Sequence, residues 1–373
     1  LFRRKRMIKV KKSGIVYRNS KPHLKSLHAY FPSLVLLRDG DILVSFTIGS
    51  AFDSVDCHPV YSRSSDGGKT WVFEGDLPVI KRDFISSTCR ISLCADGEII
   101  GFGAYFIRNS DEQELLNPET NGFVPTELFL IRSKDKGFIW TKPEIIIPPI
   151  KGHPFEICSP VVALTSNEWL IPTSTWKGWN GEDPIGMKAI VLRSYDKGKT
   201  WSEYSIVMDG SNKEIVYWEQ KLIKIANEQL LSVCWTHNLK DKKDMEIHYA
   251  ISQDRAKTFS APQSTGLKGQ TCTPIYLEDN KILSLYRRTD KPGLWANISH
   301  LDGNKWINDE EVPLWGEHFS QLTRKQRNIV KEMNILKFGL PTIIKLNNKE
   351  IFAAFWCVEE CVAIIRWFHI EIT

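Results

Sequence analysis

The 373 residues carry 42% hydrophobic and 25% charged side chains, which excludes a disordered or low-complexity chain and allows a large core. Net charge is +5, yet the first twelve residues hold seven Lys or Arg and no acid, so the remainder is slightly acidic and argues against a nucleic-acid-binding body. No apolar run reaches transmembrane length, and none follows the basic start as a signal peptide requires, which favours a cytoplasmic location.

Residues 1–13 read as a basic tail. Its Arg3-Arg4-Lys5-Arg6 would either meet a membrane or polyanion or, more simply, stay solvated. Gly14-Ile15-Val16-Tyr17 reads as a lone strand. From residue 33 a rhythm of two turns begins. The first kind sits between two apolar runs: Asp39-Gly40, Asp96-Gly97, Asn167-Glu168, Asn227-Glu228, Asp279-Asn280 and Asn347-Asn348. These are six β-hairpins. The second kind is eight residues long. Its copies are 64–71 (SSDGGKTW), 133–140 (SKDKGFIW), 194–201 (SYDKGKTW), a decayed 252–259 (SQDRAKTF) and a poor 299–306 (SHLDGNKW). In these turns Asp bonds the backbone N–H groups, Gly permits positive φ and the aromatic packs beneath.

Alternation of the two turns gives units of four antiparallel strands, a to d, repeated six times: an all-β, six-bladed β-propeller over 14–373. The sixth unit ends at strand c, so the strand at 14–17 is expected to complete it and remove the open edges. Residues 314–337 lack alternation and read as a short helical insertion. The eight cysteines show no zinc spacing, and a large core does not need disulfides, so they read as mostly reduced thiols. Cys357 and Cys361 leave a bridge or a metal open.

Strand direction sorts the loops. The two repeated turns share one end of the axis. The longer, varied b–c loops and the starts of the a strands share the other, where a site belongs. That end gathers Asp53, Asp56, His58, Trp176, Trp179, His237, Arg287 and Arg288 from the loops. The inner strands add Tyr30, Arg90, Glu156, Tyr217, Trp218, Glu219 and Gln270. Aromatic faces stack on sugar rings and Arg forks bind carboxylates. His28, His58, His153 and His237 are spread over several blades, so neither a metal nor another cofactor is expected.

The eight-residue turn resembles the Asp-box, or bacterial neuraminidase repeat, and with six blades nearly the whole chain resembles the sialidase (neuraminidase) superfamily. The resemblance implies a carboxylate-binding arginine triad, a Tyr nucleophile paired with a Glu, and an Asp acid/base in the first blade. It places the Asp-boxes on the end away from the site. This chain departs from that pattern. The first triad position reads Ala29-Tyr30-Phe31-Pro32, so Tyr30 stands for the Arg. The second reads Val233-Cys234-Trp235-Thr236-His237, with no Arg. The nucleophile position reads Phe338-Gly339-Leu340-Pro341, with no Tyr. Asp56, or in second place Asp53, matches the acid/base and Glu219 the Glu.

The expectation is a glycosidase-like enzyme on an acidic or acetamido sugar, other than a standard sialidase. Asp56 would be the acid/base, Glu219 the base or nucleophile activator, Tyr217 a replacement nucleophile, and Arg90, Arg287 or Arg288 the anion ligands. Two alternatives stand beside it. One is a non-catalytic glycan-binding propeller that stacks sugars on Trp176, Trp179 and Trp218. The other is a protein-interaction scaffold using the tail and the insertion.

Overall fold

The computed structural model describes residues 6–323 and 335–373. Strand β1 (Ile8–Tyr17) comes first. The first full blade is β2 (His28–Leu36), β3 (Ile42–Gly49), β4 (His58–Ser64) and β5 (Val72–Asp76). The second is β6 (Ile85–Leu93), β7 (Ile99–Ile107), β8 (Thr126–Ser133) and β9 (Glu144–Ile146). The third is β10 (Val162–Ala163), β11 (Trp169–Ser174), β12 (Ala189–Ser194) and β13 (Glu203–Met208). The fourth holds β14 (Ile215–Lys224), β15 (Leu230–Asn238), a side strand β16 (Lys243–Asp244) on β15, β17 (His248–Ser252) and β18 (Gln263–Ser264). The fifth is β19 (Gly269–Tyr276), β20 (Lys281–Arg288), β21 (Leu294–Asp302) and β22 (Lys305–Trp315). The sixth is β23 (Phe338–Lys345), β24 (Glu350–Glu359) and β25 (Val362–Ile372), with β1 as its outermost strand. The molecule is a six-bladed β-propeller.

β1 closes the ring by pairing antiparallel with β25, from Ile8 opposite Ile372 to Tyr17 opposite Ile365. The strand starts at Ile8, so half of the expected tail is sheet. Ile8 is 3% exposed in the apolar layer between blades five and six, and Glu310 accepts hydrogen bonds from the Met7 and Ile8 N–H groups (2.7 and 3.2 Å). At the expected insertion, β22 continues to Trp315 and Ser320–Thr323 forms a 3-10 turn. Residues 324–334 of that insertion lie outside the described residues.

The core is six apolar layers, one between each pair of neighbouring blades. A blade packed on both faces has no polar side, which is why every residue of β3 is buried. At about 25 cal/mol per Å² of apolar surface, these layers dominate the favourable side of folding.

Eight-residue turns tie the outer strands of the first four blades to this core. Asp66 accepts from Ser64 Oγ (2.8 Å), the N–H groups of Lys69 and Thr70 (2.9 Å each) and Thr70 Oγ1 (2.7 Å). Gly68 N–H donates to Ser64 Oγ and Trp71 Nε1 to the Gly68 carbonyl. Gly68 sits at φ +87°, where a Cβ would lie 2.3 Å from the Phe352 ring of the neighbouring blade, so both conformation and space demand glycine. Asp135, Asp196 and Asp254 form corresponding cages. The stretch 299–306 does not: β21 and β22 pair straight through to Asp302 opposite Lys305, a tight hairpin at Gly303-Asn304. Its acid falls one residue late, so no cage can close.

A strand-c arginine beside each of the first three turns reaches into the next blade. Arg63 donates to the Lys136 carbonyl (2.8 Å), Arg132 to Lys197 (2.7 Å) and Arg193 to Arg255 (2.7 Å).

Thr200, through its hydroxyl and N–H, is the main reason the Asp196 carboxyl is held down to about 2. A carboxyl depressed in the fold stabilises fully above its unfolded value and loses that contribution as pH falls through its folded value. Asp196→Ala should therefore cost about 1–2 kcal/mol near neutral pH, by analogy with helix caps. In urea titrations the variant should also lose less stability than the parent between about pH 5 and pH 2.

Candidate active site

At the end of the axis opposite the eight-residue turns lies a cavity of about 150 Å³. That volume matches an engineered apolar cavity that takes up benzene, so it holds one ring-sized group. Its walls come from separate blades: Phe31, Phe52 and Asp53 from the first, Thr88 and Arg90 from the second, Glu156 and Cys158 from the third, Glu219 and Trp235 from the fourth, Leu340 from the sixth. Loop 106–126 adds Leu115, Leu116 and Phe123 and is locked to loop 175–187. Phe123 N–H donates to the Lys177 carbonyl (2.9 Å), Asn117 Nδ2 to the Trp179 carbonyl (2.9 Å) and Trp176 Nε1 to the Asn121 carbonyl (2.8 Å). The loops meet so closely that a Cβ on Gly122 would stand 1.9 Å from the Gly178 carbonyl oxygen.

Four inner strands carry the same irregularity. β2, β14, β19 and β23 each shift register after their first residues, and Phe31, Glu219, Thr271 and Leu340 take positive φ at the shift. A side chain there leaves the alternation of the strand, and three of the four line the cavity. Non-glycine residues in this conformation cost of order 1–3 kcal/mol each, a strain typical of sites.

Charge is concentrated here. Glu156 is raised well above the usual carboxylate range, first by burial and then by the Glu219 charge. Glu156 also accepts a hydrogen bond from the Glu219 N–H at 2.8 Å. Burial raises Glu219 too, opposed by the charges of Arg287, Lys221 and Arg90. Glu219 Oε2 is buried with no partner among the described residues. Asp53, half-buried, is pushed up to about 6 by burial, with Arg108 pulling the other way. Burial lowers Arg90 to about 10, although the carbonyls of Ile157 and Phe31 hold its guanidinium.

Of the residues singled out by sequence, Asp53, Arg90, Glu156, Trp176 and Glu219 line the cavity. Arg287 stands behind Glu219, bonded to Gln270 Oε1 (2.8 Å) and the Phe338 carbonyl (3.1 Å). His237 lies next to these, its Nδ1 2.9 Å from Asp244.

Others point elsewhere. Asp56 is exposed and off the cavity wall. It caps its own loop by accepting from Ser50 N–H (3.0 Å), Ser50 Oγ (3.0 Å) and Ser54 Oγ, and these bonds outweigh partial burial and depress its carboxyl. His58 turns outward to the Asp56 carbonyl and to Asp76 at 3.5 Å. Arg288 pairs with Asp290 (2.6 Å) and Glu311 (2.8 Å) over the Trp295 ring, because consecutive strand residues face opposite ways.

Tyr217 is 4% exposed inside the layer between blades three and four, and burial raises its hydroxyl to about 12. It does not share Glu219's direction because the register shift intervenes. Tyr30 is buried against Phe52 and Trp356. Trp218 has both faces covered, by Trp176 at 4.9 Å and His237 at 5.4 Å, so it offers no platform for a sugar. Trp179 keeps a partly exposed ring. Sequence reasoning missed Lys221, whose ammonium bonds the Cys158 carbonyl, and Asp244. A lysine inside a buried inner strand was the available signal for the first.

All eight cysteines are free thiols, and among the described residues no three metal-ligating side chains gather. No helix among them is long and apolar enough to cross a membrane.

No family model and no curated protein matches the chain. Solved structures do. A protein of unknown function from Dyadobacter fermentans is 21% identical with a TM-score of 0.75, over 98% of this chain and 100% of that one. The NanB sialidase of Streptococcus pneumoniae, as its K499G mutant, is 12% identical with a TM-score of 0.64, over 96% and 70%. The α-L-arabinanase of Penicillium chrysogenum is 13% identical with a TM-score of 0.65, over 92% and 93%. At these identities the likeness shows a sialidase-like propeller fold.

The two tryptophans should separate in experiment. Trp218→Ala should cost about 3–5 kcal/mol by denaturant midpoint as a buried aromatic. Trp179→Ala should stay within about 0.5 kcal/mol as a surface change.

Proposed function

We propose that this protein is a propeller glycoside hydrolase that removes a terminal, anionic sugar, with Asp53 as the acid and Glu219 as the working carboxylate. One observation carries the reading: Asp53 and Glu219 line a single ring-sized cavity, Asp53 with one cation opposing its burial and Glu219 with three. Asp53, raised to about 6, is protonated often enough to give a proton to a leaving oxygen. Glu219 has three cations on its side, and its neighbour Glu156 is the better place for a shared proton, since two adjacent carboxylates do not both ionise readily. Glu219 then attacks the sugar or activates water as Asp53 protonates the departing oxygen. Arg90 on the wall, with Lys221 and Arg287 behind it, favours a substrate carrying negative charge. The small volume favours a chain end over an internal linkage. The sialidase and arabinanase among the similar structures support sugar chemistry on this scaffold.

Aryl glycosides of acidic and neutral sugars provide the assay. Asp53→Asn and Glu219→Gln should each lower turnover by about 10²–10⁴-fold while circular dichroism stays that of the parent. Full activity in both variants would reject the assignment. Calorimetric binding of sugars without any product would favour a glycan-binding propeller instead. The acid must carry its proton, so kcat/KM should fall as pH rises through about 6. That limb should be missing from whatever activity Asp53→Asn retains.

A further inference from the structure

Behind Glu219 runs a chain of hydrogen bonds through the fourth and fifth blades. Asp244, on the side strand β16, accepts from Trp235 Nε1 (2.8 Å) and His237 Nδ1 (2.9 Å) on one oxygen. Its other oxygen accepts from Gln270 Nε2 at 2.8 Å. Gln270 Oε1 in turn accepts from Arg287 Nε at 2.8 Å, and Arg287 also donates to the Phe338 carbonyl. Asp244, Gln270 and Arg287 are each buried, Asp244 with 6% of its side chain exposed.

The chemistry permits one orientation of the middle group. A carboxylate only accepts and a guanidinium only donates, so the Gln270 amide must turn its NH₂ to Asp244 and its oxygen to Arg287. We propose that Asp244 is a positioning residue of this site, fixing the Gln270 amide so that Arg287 is held toward Glu219. The proposal rests on the reading of Glu219 as the working carboxylate.

Glu219 feels several groups. Glu156 and Cys158 face it from the third blade, Arg90 from the second, Lys221 from its own strand, and Arg287 and the Thr271 N–H from the fifth. Of the cations, Arg287 favours its ionised form most. An Asn at 244 could keep its oxygen for Trp235 and His237 but would aim an NH₂ at Gln270. The Gln270 amide would then flip and set donor against donor at Arg287.

The test reads the carboxyl carbon of Glu219 by NMR in the full chain with selectively labelled glutamate, assigned by its disappearance in Glu219→Gln. Asp244→Asn should move the Glu219 midpoint to higher pH. Gln270→Met, which removes only the linking amide, should move it the same way and serves if Asp244→Asn fails to fold. The double variant Asp244→Asn with Gln270→Glu rebuilds the chain with equal total charge, because a carboxylate at position 270 would accept from both neighbours, and should return the midpoint toward the parent value.

Where hydrolysis is measurable, Asp244→Asn should lower kcat by roughly 10–100-fold, as loss of a supporting partner does, with recovery in the double variant. An unmoved Glu219 midpoint in folded Asp244→Asn or Gln270→Met overturns the proposal. So does a folded double variant that stays shifted, since a purely structural acceptor for Trp235 and His237 would not respond to residue 270. The titration needs no substrate, so it decides the relay even if no glycoside is cleaved.

Discussion

Each blade of this propeller is unfinished until its neighbours cover it. All six apolar layers lie between blades, so no blade owns a complete core. The ring therefore has to close, and β1 closes it by joining the chain's beginning to the strand at its end. The cavity inherits this dependence. Its walls come from five blades, and any slip in one layer would move residues such as Asp53 and Glu219 that share no blade.

Such a frame allows an electrostatic arrangement that a looser protein could not keep. Three carboxyls and three cations stand around a small, mostly apolar space. Burial weakens the charged form of Asp53, Glu156, Glu219, Arg90 and Lys221 alike. Stripping water from charges costs several kcal/mol per ion, so such a cluster is poor for stability taken alone. Clusters of this kind recur where acids and bases are set for chemistry. The strained positive-φ residues of the inner strands fall in the same place.

The fold was legible because turns are local. Ser, Asp, Gly and Trp at fixed spacing meet within one loop, and their repetition counted the blades. The one false copy, at 299–306, failed because its acid is out of place by a single residue. The site was less legible because its geometry is not local. Asp53 and Asp56 share a loop, and only the three-dimensional path shows which carboxylate Ser50 and Ser54 occupy. Tyr217 and Glu219 stand two residues apart, which alternation alone would put on one side of a strand, and the register shift between Trp218 and Lys221 breaks that rule. The same shift hid Lys221. Alternation held for Arg287 and Arg288, but it could not say which of the two turned inward. Asp244 sits in a polar loop sequence, and its partners lie as many as 26 residues away.

The strand-c arginines have one more consequence. Each clasps a carbonyl in the following blade, running from the first blade to the second, third and fourth. There the series ends, because the residue before Ser252 is Ile251, which has no donor to offer. The arginine clasp thus recurs along one arc only; along the other, blades five and six are joined by apolar packing, the borrowed β1 and different hydrogen bonds, such as Arg287 to the Phe338 carbonyl and Thr273 Oγ1 to the Pro341 carbonyl. Asp53, Glu156 and Glu219 all sit on the clasped arc, where parting two neighbouring blades also means breaking an arginine clasp.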